Sequence, residues 1–254
     1  MIRTAVAVVF HVNQSTNIGR YFELPMGIGR NKREVFSYIE SKLIGRLSGW
    51  NKKILSRAGK EVLLKSVAQA LPTYYMSIYY LPVTLCERIE RVMNKFWWGT
   101  SGGSNGIRWM AWNRMCTQKS QGGLGFKVLS RFNVAILAKQ GWRLMTNPTS
   151  LAAKLYKARY YPHDDFLDAK IGANPSYCWR SILAGQEVLR MGSYRRIGNG
   201  HDTCVWRHAW LPDESFPYVQ TPAPEFNQNM KVSELIDPLS HYWNRELLNN
   251  VFIL

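Results

Sequence analysis

The chain has 254 residues, of which 46% are hydrophobic, 20% charged and 13% aromatic. This composition is that of a globular protein and excludes disorder throughout. Charged residues or proline interrupt every apolar run before it reaches the roughly 18–20 residues that cross a bilayer, which excludes an integral membrane protein. Four cysteines without any C-x-x-C pair exclude a dense disulfide framework and favour a reducing compartment.

Basic side chains dominate the charge, with 33 Lys and Arg against 17 Asp and Glu and a formal net charge of +16. Residues 1–200 contain 30 Lys and Arg and 10 Asp and Glu, whereas residues 201–254 contain 3 and 7. Such a field attracts polyanions, and the interleaving of aromatic with basic residues favours nucleic acid over anionic lipid. Charge alone leaves the partner open, because many basic proteins bind nucleic acid without specificity.

The first predicted element is a short buried strand in residues 1–12. Its apolar run from Ala5 to Phe10 is followed by no small-residue cleavage site, so we expect a nuclear or cytoplasmic protein that is not secreted. Asn31 and Glu34 then form a capping box that predicts an amphipathic helix ending at Gly49.

The next predicted helix begins after Ser56, which is a favourable cap, and continues to Leu71, ahead of Pro72. On a helical wheel its apolar residues share one arc. The basic residues of this segment fall on the other arc: Lys53, Arg57, Lys60 and Lys65. We interpret these four cations as nucleic-acid-binding residues that contact phosphates, and the alternative is an ordinary solvated face.

Further apolar periodicities predict helices over 85–96, 129–144, 150–160 and 177–191, and a last helix beginning near His241. A Gly/Ser tract at 99–106 predicts a linker. Residues 194–206, with Asn199-Gly200 at their centre, predict a β-hairpin. The fold class is therefore mainly α, with two helical lobes and a small β-hairpin near 194–206.

Two groups of residues have the chemistry of metal or catalytic sites. Asp164 and Asp165 are the only adjacent carboxylates, but no flanking strand pair presents them, so a polar loop is the better interpretation. His201, Cys204 and His208 are of zinc-ligating types, but a fourth ligand is missing and strand periodicity places His201 and Cys204 on opposite faces. We therefore predict no metal site, no catalytic residue and no cofactor.

Tryptophans recur beside basic residues and have two interpretations. Their indoles can stack on nucleic-acid bases, or they can fill a core, which we favour for any single residue. The tryptophans concerned are Trp97, Trp98, Trp109, Trp112, Trp142, Trp179, Trp206 and Trp210.

Several short motifs follow one another in a fixed order along residues 5–250. Those of the first half are Leu24-Pro25, Gly29-Arg30-Asn31-Lys32, Gly49-Trp50, the run from Leu55 to Val67, Ala70-Leu71-Pro72-Thr73-Tyr74 and Phe96-Trp97-Trp98-Gly99. Those of the second half are the run from Lys119 to Phe126, Lys139-Gln140-Gly141-Trp142-Arg143-Leu144, Lys157-Ala158-Arg159-Tyr160, Ser176-Tyr177-Cys178-Trp179-Arg180-Ser181-Ile182 and Arg196-Ile197-Gly198-Asn199-Gly200. This succession resembles plant non-LTR (LINE-type) retrotransposon reverse transcriptases, in the segment that follows the polymerase palm. Glu23 departs from the pattern, since that family usually has glycine in this turn.

The resemblance implies a domain plan. It assigns residues 1–99 to the end of the polymerase and its thumb, 100–106 to the linker and 107–211 to the connector, which contains the predicted hairpin. Residues 212–254 correspond to an acidic, proline-containing tail that leads to a truncated zinc-binding region.

The resemblance also implies a function. The Tyr-x-Asp-Asp turn that holds catalytic metal in the family has no counterpart in this chain, so the resemblance implies a non-catalytic remnant that grips a single strand or an RNA–DNA hybrid by its phosphates. One alternative is a helical module that binds a protein or self-associates through apolar surface. The other is an active polymerase or nuclease that uses Asp164 and Asp165.

Overall fold

The computed structural model describes residues 20–21, 24–25, 28, 31–50, 55–99, 107–213, 216–224 and 227–252. The predicted strand in residues 1–12 and the predicted linker at 100–106 lie outside these ranges. The contacts divide the chain into a first unit, residues 1–189, and a second unit, residues 190–254. The linker predicted at 100–106 stays a prediction.

The first unit is mainly helical, which confirms the predicted fold class. A short antiparallel pair, β1 (Arg20–Tyr21) and β2 (Leu24–Pro25), precedes the helices and places Arg20 opposite Pro25. The helices are α1 (Lys32–Ser48), α2 (Arg57–Leu63), α3 (Thr73–Met76), α4 (Val83–Trp98), α5 (Trp112–Met115), α6 (Leu129–Thr146), α7 (Leu151–Tyr160), α8 (Tyr177–Leu183) and α9 (Gln186–Gly192), of which α9 contains the boundary.

Polar side chains cap α1, α2 and α7 at the positions where the sequence predicts that helices begin. The Asn31 side chain accepts from the Glu34 N–H at 3.4 Å and donates to the Glu34 carboxylate at 2.9 Å. Ser56 accepts from the Gly59 N–H at 3.1 Å, and Ser150 accepts from the Ala153 N–H at 3.2 Å. Each cap pairs an N–H that has no partner within its helix, so the local sequence determines where α1, α2 and α7 begin.

The second predicted helix changes type partway. It is α-helical only to Leu63, and residues Leu64–Ala68 form a π-helix in which the Gln69 N–H donates to the Leu64 carbonyl at 2.9 Å. Leu64 and Ala68, at the two ends of this π-helix, are both buried in the core, and each is 0% exposed. The predicted α-helix to Leu71 is therefore wrong beyond Leu63.

The first unit contains two apolar clusters. The larger cluster joins α1, the π-helix, α4, α5 and the start of α6, and so includes described residues on both sides of the predicted linker, such as Phe36, Met93 and Leu129. The smaller cluster surrounds Trp179, which is 0% exposed and stacks against Tyr160 with 4.8 Å between ring centres. Because α6 contributes to both clusters, its position in the unit is well determined.

The second unit has a small core of Val205, Met230, Val232 and Leu235 and contains a 3₁₀ turn (Val232–Leu235) and α10 (Arg245–Val251). The predicted β-hairpin at 194–206 is not formed. Residues 203–205 instead bond to residues 230–232, with the Val205 N–H donating to the Met230 carbonyl at 3.0 Å. This pairing fully buries Val205 and Val232.

The glycines explain why the turn forms without the hairpin. Gly198 and Gly200 have positive φ values of 59° and 78°, so the chain turns there as predicted. A Cβ on Gly200 would lie 2.5 Å from the Ser233 nitrogen, which shows that this turn packs against the 3₁₀ turn.

Throughout the described ranges, no helix combines the length and the apolar character that crossing a membrane requires.

Candidate nucleic-acid interface

Of the four predicted phosphate-binding cations, the three that the structure describes have different surroundings and do not form one stripe. Lys53 lies outside the described residues. Arg57 is exposed and lies over two indoles, with its guanidinium carbon 5.7 Å from the ring centre of Trp97 and 5.2 Å from that of Trp98. This cation–π contact fixes the Arg57 side chain at the end of α4.

Lys60 has a structural role. Its side chain is buried, with the residue only 8% exposed, and its Nζ donates to the Gly99 carbonyl at 2.7 Å and the Trp97 carbonyl at 3.4 Å. An ammonium group here satisfies carbonyls at the C-terminus of α4 and complements the helix dipole. The interpretation of Lys60 as a phosphate contact is corrected accordingly, because a phosphate cannot reach a buried ammonium without displacing these carbonyls.

Lys65 belongs to a small ion-pair network. Its Nζ lies 2.8 Å from the Glu61 carboxylate, which is also 2.8 Å from the Lys119 Nζ. Hydrogen bonds from Lys119 and Lys65 lower the pKa of Glu61, so the carboxylate stays ionised. A carboxylate between two lysines weakens their attraction for phosphate.

A different set of cations shares one exposed side of the first unit. We define the α6 stripe as Lys127, just ahead of the helix, and Arg131, Lys139 and Arg143 within it. The three cations within the helix are spread over about 120° of its exposed side, and all four residues are exposed. Trp142 lies on the same side and is 44% exposed.

The sequence around this stripe contains no acidic residue. Residues 91–162 contain twelve Lys and Arg and no Asp, Glu or His. The ion pairs of the described residues involve Glu40, Glu61 and Glu87, and none of them includes a stripe residue. Within the described residues the stripe cations are therefore not neutralised by ion pairs.

The buried side of α6 holds the stripe in place. Asn133, which is 0% exposed, accepts from the Leu81 N–H at 2.7 Å and donates to the carbonyls of Met76 and Tyr79 at 2.9 and 3.0 Å. At the start of the helix, the Glu90 carboxylate accepts from the Leu129 N–H at 2.7 Å. Burial raises the pKa of Glu90, and the bond from Leu129 partly offsets this cost. These contacts make α6 a rigid support for exposed cations.

The predictions from the sequence missed the α6 stripe, although the chain contains a signal for it. The acid-free run of residues 91–162 stands out from the composition alone, and the four-residue spacing within it selects one side of the predicted helix.

Among the tryptophans, Trp97, Trp112 and Trp179 are buried as expected, whereas Trp142 and Trp109 are exposed.

The other residues whose side chains could ligate a metal ion or take part in catalysis do not come together in one site. Asp164 and Asp165 lie in an exposed loop, where the Asp164 carbonyl accepts from the Lys157 Nζ at 2.6 Å. In the second unit the His208 Nδ1 accepts from the Cys204 N–H at 2.9 Å. Within the described residues, no three His, Cys, Asp or Glu side chains are grouped to hold a metal ion. That the protein binds no metal stays a prediction.

Comparison with known proteins places the chain among plant relatives. It is 42% identical over 159 residues to the uncharacterized mitochondrial protein AtMg00310 of Arabidopsis thaliana, a match that covers 62% of the chain and 99% of that protein. The chain belongs to the AtMg00310 family. This AtMg00310-family chain is also 29% identical over 192 residues to a longer Arabidopsis thaliana protein named "Putative ribonuclease H protein At1g65750".

The match to the longer protein covers 74% of the chain but only 31% of that protein, so this AtMg00310-family chain spans about a third of the relative's length. No protein-family model and no solved structure matches the chain.

Proposed function

We propose that this AtMg00310-family protein derives from the thumb and connector of a plant non-LTR retrotransposon reverse transcriptase. Two observations support the proposal. The ordered motifs of residues 5–250 resemble that segment, and a longer plant relative is named for ribonuclease H. In this proposal the chain holds single-stranded nucleic acid or an RNA–DNA hybrid by its phosphates and carries out no chemistry.

The α6 stripe is the observation that carries the binding proposal. Its cations are exposed, lie on one side of a rigid helix and, within the described residues, form no ion pair with a carboxylate. Contacts of this kind hold a strand by its backbone and read no sequence, so the affinity should depend steeply on salt and little on base order. Nucleotidyl transfer, by contrast, requires metal ions held by carboxylates, which the stripe does not supply.

Reversing three stripe charges should weaken binding to a 20-nucleotide single strand at least about tenfold at physiological salt. The variant carries Arg131→Glu, Lys139→Glu and Arg143→Glu. Because each lost phosphate contact removes about 0.7 from the slope of log affinity against log salt, the slope should fall by about 2. Fluorescence anisotropy across a salt series measures both quantities.

A matched variant controls for total charge. Arg46, Lys95 and Lys170 are exposed cations outside α6, and their reversal to Glu changes the net charge by the same amount. This control should retain most of the salt slope. Equal losses in the two variants would show that the field is diffuse and would remove the stripe from the proposal, and a wild type without salt-dependent binding would refute the binding function itself.

A second candidate function is a helical interaction module. The observation that favours it is on α7, where Leu151 and Leu155 are 84% and 62% exposed and lie one turn apart on the same side. If this apolar pair mediates self-association, sedimentation equilibrium should give a mass that rises with concentration, and Leu151→Glu with Leu155→Glu should abolish the rise. A wild type that stays monomeric at every concentration would refute self-association.

The cellular compartment of the protein is also part of this proposal. The sequence predicts a nuclear or cytoplasmic protein, whereas the name of the relative AtMg00310 describes that relative as mitochondrial. A reverse-transcriptase origin is compatible with any compartment that contains nucleic acid, so phosphate binding does not depend on this choice.

A further inference from the structure

A cavity of about 540 Å³ opens beside the second half of α6 within the first unit. Residues of α6, α7 and α8 line it, together with Ser77 and Ile78. Its volume lies within the range of about 300–1,000 Å³ that is typical of small-molecule sites. Asn147, Thr149 and Ala152 on its rim are exposed, so solvent reaches it.

The inner wall of the cavity suits a flat, aromatic ligand. Leu144 and Ile182 contribute apolar surface, and Tyr156 contributes a half-buried ring. That ring is fixed from behind, because its centre lies 5.8 Å from those of both Tyr160 and Trp179 at an interplanar angle of 29°. A ring held in this way loses little conformational entropy when a second flat group packs beside it.

The rim supplies polar groups of the kind that nucleobases bind. Gln140 and Asn147 each carry an amide that both donates and accepts, which matches the mixed edges of unpaired bases. Burial raises the pKa of Tyr156 to about 12, so its hydroxyl remains neutral and able to donate near neutral pH.

Arg143 connects the cavity to the α6 stripe. It lines the rim and is also the last cation of the stripe, where it donates to the Gln140 side chain at 3.4 Å. A strand whose phosphates follow the stripe as far as Arg143 therefore reaches the rim of the cavity. Charge complementarity thus selects a nucleic-acid strand rather than an uncharged aromatic molecule.

We propose that this cavity receives one unpaired base of a single strand whose phosphates lie along the α6 stripe. The inference rests on the proposed function and adds a base-dependent component to it. A duplex cannot place a base there without opening a pair, so the protein should prefer single strands. Stacking accepts every base, so this preference requires no particular sequence.

The test compares two strands of equal charge. One is a 20-nucleotide oligo-dT and the other a 20-residue abasic strand, which retains every phosphate and lacks the bases. The wild type should bind oligo-dT about tenfold more tightly, the magnitude expected for stacking of one base. Ala152→Trp, which fills the cavity from its exposed rim, should reduce this ratio to about one without changing the salt slope.

Ala158→Trp is the matched control, since Ala158 is exposed on the same helix and is not among the residues that line the cavity. It should keep the tenfold ratio. Equal binding of both strands by the wild type, or a ratio that survives Ala152→Trp, would overturn the cavity inference while leaving phosphate binding intact. If neither strand shows salt-dependent binding, the proposed function fails and the cavity inference fails with it.

Discussion

Replacing Asn133 with alanine is expected to lower the free energy of unfolding of the first unit by about 3–5 kcal/mol. Asn133 is fully buried in α6, and its side chain pairs one N–H and two carbonyls from residues 76–81. Alanine would leave all three backbone groups buried without these partners, and each such group costs about 1–3 kcal/mol. Urea denaturation of the full chain, followed by circular dichroism, measures the change.

Two variants sharpen this prediction. Asn133→Asp has nearly the same shape and retains an acceptor for the Leu81 N–H, but it cannot donate to Met76 and Tyr79 and adds a buried charge, so it should be at least as destabilising. Asn113→Ala, at an exposed position of α5, should stay within about 0.5 kcal/mol of the wild type. A loss below about 1 kcal/mol for Asn133→Ala would contradict the role of these bonds.

Replacing Gly185 with alanine should destabilise the first unit by about 3 kcal/mol or more, because an added Cβ would overlap the backbone of α6. That Cβ would lie 2.3 Å from the Ala138 nitrogen and 2.6 Å from the Ala138 Cα. Backbone atoms in the middle of a packed helix cannot move aside as a flexible side chain can. The shift of the urea midpoint at constant slope gives the size of the effect.

Gly45→Ala is the matched control and should have the opposite sign. Gly45 lies inside α1 and is exposed, and a Cβ added there would meet no atom within 4 Å outside its own helix. Alanine at this position reduces the entropy of the unfolded chain and should raise the free energy of unfolding by about 0.5–1 kcal/mol. If both substitutions change the free energy of unfolding equally, the close packing of Gly185 against α6 does not explain why glycine is needed at this position.

Local signals in the sequence are sufficient for the helix starts. Ser56 and Ser150 cap the helices that the sequence predicts after them, since a hydroxyl that accepts from an N–H three residues later needs only neighbouring residues. The mainly helical class follows from apolar periodicity in the same way. These features could be predicted because each depends on interactions within a few residues.

The positions of the cations could not be predicted from a helical wheel. The wheel assumes 3.6 residues per turn, and this assumption fails in the π-helix at Leu64–Ala68, which contains Lys65. Lys60 is buried against the carbonyls of Trp97, at the end of α4, and of Gly99, just after it, which lie nearly forty residues away in the chain. A wheel contains no information about such a partner.

The predicted hairpin is wrong for a related reason. Asn199-Gly200 predicts a turn, and the turn exists, but the segment with which residues 203–205 pair is decided by tertiary packing. Residues 230–232 offer Val232 to cover Val205, which buries more apolar surface than a hairpin beside the polar residues of 194–196.

The stretch of chain that carries the α6 stripe has no side chain of its own that changes charge near neutral pH. Residues 91–162 contain no Asp, Glu or His, and burial raises the pKa of the Cys116 thiol to about 12. Acidification within the physiological range therefore leaves the charge of this stretch unchanged. Under the proposed function, loading and release of a strand would depend on ionic strength, on competing polyanions, or on enzymes that acetylate lysine and so remove its charge.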